Sequence, residues 1–153
     1  MKVIIDSREK KCAHIIKYFD EHGIDYFVRK LDEGDYQIEG SPGITVDRKQ
    51  NLSELSRNLM NKGDHSRFWK EIRRCKAQGE KMFVLVEHGG GIKTVSDVAT
   101  WKDKYSGVSG RTLVDEISRI YMSYGVEFIF CDKRQTAKKI LELLSYGEQQ
   151  ILC

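Results

Sequence analysis

Residues 82–86 read Met-Phe-Val-Leu-Val, an unbroken run of apolar, strand-forming side chains. A half-exposed strand alternates apolar with polar residues, so a run without alternation predicts a strand buried on both faces. Such a strand needs a layer above and a layer below it. The flanking sequence supplies amphipathic helices for both: Leu52, Leu55 and Leu59, then Phe68, Ile72 and Cys75, then Leu113, Ile117, Ile120 and Tyr124, and finally Ala137, Ile140, Leu141 and Leu144 recur at helical spacing.

The remaining segments extend this pattern. Residues 3–5 form a short strand, Cys12, Ile15, Ile16 and Phe19 mark a helix closed by Gly23, and residues 26–31 form a second strand ending at the turn Asp32-Glu33-Gly34. Residues 36–38 and 44–48 are strand-like and flank the loop Gly40-Ser41-Pro42-Gly43, which predicts a hairpin. Residues 24–49 are therefore expected to form an antiparallel meander. Residues 126–130 form a last strand, and residues 89–110 a long connection with one short helix over 95–101. Helices alternating with buried strands give an α/β class with a mixed central sheet flanked by helices, in one domain over residues 1–153.

Hydrophobic residues make up 40% and charged residues 32% of the chain, which excludes a disordered polymer. No apolar run approaches the roughly 18 residues of a membrane span, and the start MKVIIDSREK carries charges where a signal peptide is apolar. The expectation is a soluble, intracellular protein, cytoplasmic if the source is bacterial or viral. Cys12, Cys75, Cys131 and Cys153 lie far apart, which fits reduced thiols rather than a zinc site. The net charge of +3 is the remainder of 26 basic and 23 acidic residues. The basic residues concentrate in residues 62–81, where Lys62, Arg67, Lys70, Arg73, Arg74, Lys76 and Lys81 face only Asp64, Glu71 and Glu80. That segment is the candidate phosphate-contacting surface.

The chemistry concentrates in Gly34-Asp35-Tyr36 and, ten residues on, Asp47-Arg48-Lys49. Alternation along a strand places Asp47 and Lys49 on one face and Arg48 on the other. A hairpin in register brings Asp35 beside Asp47, so two carboxylates and a lysine converge at one end of the sheet. Paired carboxylates repel unless a cation intervenes, and oxygen ligands of this kind suit Mg²⁺ or Mn²⁺. Such an ion lowers the pKa of a bound water and offsets the charge that develops on a phosphodiester, with Lys49 as an added donor. This is the arrangement of a PD-(D/E)xK nuclease. The plainer alternative is an exposed ion pair after a turn. Asp6-Ser7-Arg8-Glu9 follows the first strand, where open α/β sheets bind ligands, and would otherwise be a helix cap.

Taken together, IIDSRE, GDY, VDRK, NLMNKGDHSRFWKEI and VLVEHG resemble the nuclease domain of the XPF/Hef family of structure-specific DNA endonucleases, in the correct order over nearly the whole chain. That family's signature is G-D, a variable gap, E-R-K, three residues and D, preceded by D-x-R-E. The resemblance implies a restriction-endonuclease-like core that cuts branched, fork or flap DNA with Mg²⁺ or Mn²⁺ in DNA repair or recombination. It implies a catalytic set of Asp6, Glu9, Asp35, Asp47 and Lys49, metal ligands Asp35, Asp47 and Glu87, and DNA contacts from Arg8, Arg48, Arg67, Lys70, Arg73 and Arg74. Arg8 and Arg48 would hold phosphate or lock the acids. Two positions depart from the signature: Asp47 stands where it has Glu, and Ser53 where it has its last acid, with Glu54 one residue later. Larger members add a helix-hairpin-helix region that grips duplex DNA. Without one, binding is expected to need a homodimer or a partner protein.

The rival reading is a catalytically silent DNA-binding or scaffold module that partners an active nuclease, which Ser53 favours. A small-molecule α/β enzyme lacks a nucleophile paired with a base. Gly89-Gly90-Gly91-Ile92-Lys93-Thr94 has isoleucine where a phosphate loop has glycine before its lysine, so no nucleotide cofactor is expected. His14 falls on a helix as a packing residue, while His65 and His88 face the substrate at best. Trp69 and Trp101 are core residues or stack on unpaired bases.

Overall fold

A strand, a helix and a returning strand open the chain: β1 (Lys2–Asp6), α1 (Ala13–Glu21) and β2 (Asp25–Arg29), with β2 parallel to β1. The computed structural model describes residues 1–60 and 62–146, and every side chain among them except those of residues 62–66. The hairpin β3 (Tyr36–Ile38) and β4 (Ser41–Lys49) follows, then α2 (Leu52–Met60), α3 (Lys62–Ala77) and β5 (Lys81–Glu87). A 3₁₀ helix (Val95–Thr100), α4 (Gly110–Tyr124), β6 (Glu127–Cys131), a second 3₁₀ turn (Lys133–Gln135) and α5 (Thr136–Leu144) complete the described fold. No helix in it is long and apolar enough to cross a membrane.

The strands form one mixed sheet in the order β2-β1-β3-β4-β5-β6, in which β3 runs against the other five. β5 lies between β4 and β6, and residues 82–86 are at most 2% exposed. On one face Val3, Ile5, Tyr36, Val46, Phe83 and Leu85 pack against α1 and α5. On the other, Met82, Val84, Val86, Phe128 and Phe130 pack against α2, α3 and α4.

The expected meander over residues 24–49 does not form. β1 lies between β2 and β3, and only β3 and β4 make a hairpin. The reason is the intervening helix: a strand that returns after one crossover helix lies parallel to its predecessor, so β2 takes one edge of β1 and leaves the other for β3. The hairpin turn is also tighter than expected, since β4 begins at Ser41.

Gly34 shows why the hairpin is entered through glycine. Its φ is +68°, and a Cβ there would lie 2.2 Å from Thr45 Oγ1 on β4. Gly34→Ala is therefore expected to cost about 2 kcal/mol from left-handed strain and overpacking. Combining it with Thr45→Ala should cost less than the two single losses added, by denaturant melting.

Candidate active site

Five of the six strands share one direction, and the loops at their carboxyl ends meet the start of β3. This is the edge at which open α/β sheets place ligands. The Asp35 amide donates to the Val46 carbonyl at 2.8 Å, and the Asp6 amide donates to the Asp35 carbonyl at 2.8 Å. Those two bonds set β1, β3 and β4 side by side. Along each strand Val3, Ile5, Tyr36 and Val46 face α1 and α5, so alternation turns Asp6, Asp35, Asp47 and Lys49 to the opposite face. There they border a cleft of about 610 Å³, closed on its far side by α2 and α3.

Asp35 Oδ2 accepts from the Arg48 amide at 2.8 Å. Burial, then the negative charges of Asp47 and Glu9, hold the Asp35 carboxyl well above its ordinary range. Asp47 is 5% exposed, and its Oδ2 lies 2.8 Å from Lys49 Nζ in a buried ion pair. Burial alone would pull the Lys49 ammonium down, yet Asp47 outweighs it and keeps the lysine charged. The Lys49 Nζ also sits 4.6 Å from the Phe68 ring centroid, which fixes its direction. A buried carboxyl driven toward its neutral form by the charge of a second carboxylate fits a site for a divalent cation. Among the described residues no three His, Cys, Asp or Glu side chains are grouped to hold a metal. A cation between two carboxylates therefore keeps water or phosphate oxygens in its remaining positions.

The opposite face of β4 holds a second, separate network. Arg48, its side chain 1% exposed, gives Glu9 two bonds at 2.8 and 3.1 Å, donates to Glu87 Oε1, and meets the Lys10 carbonyl at 2.6 Å. Tyr36 Oη donates to Glu9 at 2.6 Å, and His14 Nε2 contacts Glu87 at 3.1 Å. Glu87 is thus not brought to Asp35 and Asp47. Its parity matches Leu85, which pairs with Arg48, and so it turns to the α1 face. Arg48 is too deeply buried to reach a phosphate. Both residues act inside the protein, while Glu9 borders the cleft and pushes the Asp35 carboxyl up but gives its carboxylate to Arg48 and Tyr36.

The other expected residues divide in the same way. Asp6 accepts from the Leu31 amide at 2.8 Å and from Arg8 Nε at 3.0 Å, which pins the β2–β3 connection. It does not cap a helix, because α1 starts later, at Ala13. Arg8 keeps 55% of its side chain exposed at the cleft rim. On α3, Arg67 and Arg74 fall on one face at helical spacing; Arg67 lines the cleft, and Arg74 bonds Glu33 at 3.1 Å beside an adjoining groove. Lys70 is exposed at i, i+3 and i, i+4 spacing from Arg67 and Arg74 but does not line the cleft, and Arg73 sits over the Trp69 ring. Trp69 and Trp101 pack against the core. The side chains of Lys62 and His65 lie outside the described residues.

Ser53 Oγ donates to Asp103 at 3.3 Å, away from the cleft. Glu54, at the cleft rim, accepts from the Gln50 amide at 2.9 Å while its own amide donates to Asn51 at 2.8 Å, a reciprocal cap of α2. His88 Nδ1 accepts from the Leu52 amide at 3.4 Å. In the glycine-rich loop the amides of Lys93 and Thr94 already donate to Asp97.

Glu71 was not among the expected site residues, yet it lines the cleft with Asp35, Asp47 and Lys49. Burial, then Asp47, pushes its carboxyl up to about 7. The signal was the i, i+4, i+7 spacing of Arg67, Glu71 and Arg74, which puts an acid into the basic stripe. A folded-state pKa above the ordinary value means that Glu71 costs stability as pH rises through that interval. In chelator, Glu71→Gln should melt with wild type at pH 5 and be more stable at pH 8, by on the order of 1 kcal/mol after discounting for solvent screening. Arg48→Ala strands Glu9 and Glu87 and should cost about 3–5 kcal/mol in urea melts.

The ERCC4 domain model matches residues 5–144. Among solved structures, XPF from Aeropyrum pernix superposes with a TM-score of 0.72 at 20% identity, covering 99% of this chain and 67% of that one. A second structure, XPF from Aeropyrum pernix in complex with DNA, gives a TM-score of 0.69 at 23% identity, covering 97% and 66%. The chain spans about two thirds of the length of these proteins. The curated proteins contain no match. Because that match spans nearly the whole chain and takes in the β3–β4 hairpin and every residue lining the cleft, the chain belongs to the ERCC4 domain family.

Proposed function

We propose that this protein is a metal-dependent DNA endonuclease that hydrolyses phosphodiester bonds at branched, fork or flap structures. The observation that carries the reading is the convergence of Asp35, Asp47 and Lys49 on one cleft, with the Asp35 carboxyl buried against the charge of Asp47. Family membership and the likeness to an XPF structure complexed with DNA support it.

Asp35 and Asp47 would hold Mg²⁺ or Mn²⁺, which when bound activates water and offsets charge on the phosphate. The chain's own groups do the rest. Lys49, kept charged by Asp47, is a fixed donor for the phosphate oxygen that gains charge in the transition state. Arg8 and Arg67 at the rim bind flanking phosphates, and Arg74 extends that path. Glu9, Arg48 and Glu87 position β4 from behind, and Asp6 positions Arg8. Duplex binding by a domain of this size calls for a second copy or a partner protein.

Incubation with fork, flap, splayed-arm and duplex DNA in Mg²⁺ or Mn²⁺ tests the reading. Asp35→Asn and Asp47→Asn should each lower cleavage by about 10²-fold or more, and chelator should abolish it. Independently of turnover, Mn²⁺ should raise the melting temperature of wild type and leave Asp47→Asn unchanged. Cutting that persists in chelator would sink the metal reading. DNA binding without cutting of any substrate would favour the silent module, to which Ser53 points.

A further inference from the structure

Residues 101–110 form a closed loop with a stem tied at several points. Lys102 and Ser109 make an isolated antiparallel bridge, the Gly110 amide donates to the Trp101 carbonyl at 2.6 Å, and the Asp103 amide donates to the Val108 carbonyl at 3.0 Å. Gly110 is required there, because a Cβ would lie 1.9 Å from the Val98 carbonyl oxygen. Inside the loop Asp103 is 2% exposed and accepts from the Tyr105 amide at 3.1 Å, the Ser106 hydroxyl at 2.6 Å and the Ser53 hydroxyl at 3.3 Å. The last bond fastens the loop to the first turn of α2, next to Glu54 at the cleft rim. It also accounts for Ser53: an acid there would face the Asp103 carboxylate, whereas serine donates to it.

This anchoring turns Tyr105 outward. Its ring is 78% exposed, against 50% for Tyr121 and 39% for Tyr146, and Lys104 Nζ lies 5.2 Å from its centroid. Between residues 98 and 114 the exposed charges are Lys102, Lys104 and Arg111, since the acid Asp103 points inward. An aromatic ring held out into water by a tied loop, with one ammonium 5.2 Å from its centroid and exposed cations at residues 102 and 111 nearby in the chain, has the chemistry of a nucleobase platform: the ring offers a stacking face and the cations meet the backbone. Trp69 and Trp101, the other stacking candidates, are partly buried and pack against the core.

We infer that Tyr105 is a base-stacking contact for an unpaired segment of nucleic acid beside the cleft, with Lys102, Lys104 and Arg111 on its phosphates. The nature of the ligand rests on the nuclease reading. An intact duplex hides its base faces, so the contact selects open or splayed strands, which is how a cleft on a small domain would favour branched DNA.

Binding is measured by fluorescence anisotropy in chelator at low salt, with splayed-arm and blunt duplex DNA of equal length, for wild type, Tyr105→Ala and Tyr105→Phe. Tyr105→Ala should weaken splayed-arm binding by about 5-fold or more, the low end of one stacked base. Tyr105→Phe keeps the ring and should stay within about 2-fold of wild type, as should blunt-duplex binding by all three proteins. A 2-aminopurine in the unpaired arm should be quenched by wild type and not by Tyr105→Ala. Equal splayed-arm affinity of Tyr105→Ala and wild type, equal loss on both DNAs, or loss with Tyr105→Phe overturns the inference. Tyr105-dependent binding without cleavage in Mg²⁺ overturns hydrolysis and leaves the stacking contact standing. Cleavage with Tyr105-independent binding overturns the contact alone, and absence of all DNA binding by wild type overturns both.

Discussion

A guanidinium taken out of water is stable only when its donors are met by acceptors of opposite charge, and Arg48 is met by Glu9 in a two-bond fork, by Glu87 and by the Lys10 carbonyl. The rest of the site hangs on that side chain. Its anchorage on the α1 face fixes the rotation of β4, and strand geometry then obliges the residues on either side, Asp47 and Lys49, to project into the cleft. The Arg48 amide, on the same residue, holds Asp35 in place. One residue thus ties the buried network to the reacting face through its side chain and its backbone together.

The two faces of β4 follow opposite electrostatic logic. Behind the sheet, Arg48 is held between Glu9 and Glu87 and every major contact is a hydrogen bond. In the cleft, Asp35, Asp47 and Glu71 crowd one another, and Lys49 pairs with Asp47 at 2.8 Å. Burial and mutual repulsion push the Asp35 and Glu71 carboxyls up. Such strain is tolerated in folded proteins where a ligand relieves it.

The departure at Ser53 takes on a structural meaning. The residue contributes nothing to the cleft; it donates to Asp103 and so joins α2 to the loop that carries Tyr105. Reading the motif by register alone sees a missing acid. In space, the position has been given over to holding the loop at residues 101–110 against the rim.

Much of the architecture was legible in the residues themselves. The run at 82–86 required a strand covered on both faces, helical spacing placed the covering layers, and the period of two along β4 separated Asp47 and Lys49 from Arg48. Those are local properties, set by backbone geometry and side-chain polarity within a few residues. Pairing was not legible in the same way. The order β2-β1-β3 depends on a crossover helix, and whether Glu87 joins Asp35 or Arg48 depends on a strand register between segments forty residues apart. The placement of Glu71 on the cleft and of Asp103 against Ser53 likewise required helices and loops to be docked. By itself the sequence determined which residue types stand at the motif positions and which side of each strand or helix they occupy. Tertiary structure alone decided which of them meet, because contact across strands and layers depends on packing and register, which no local period encodes.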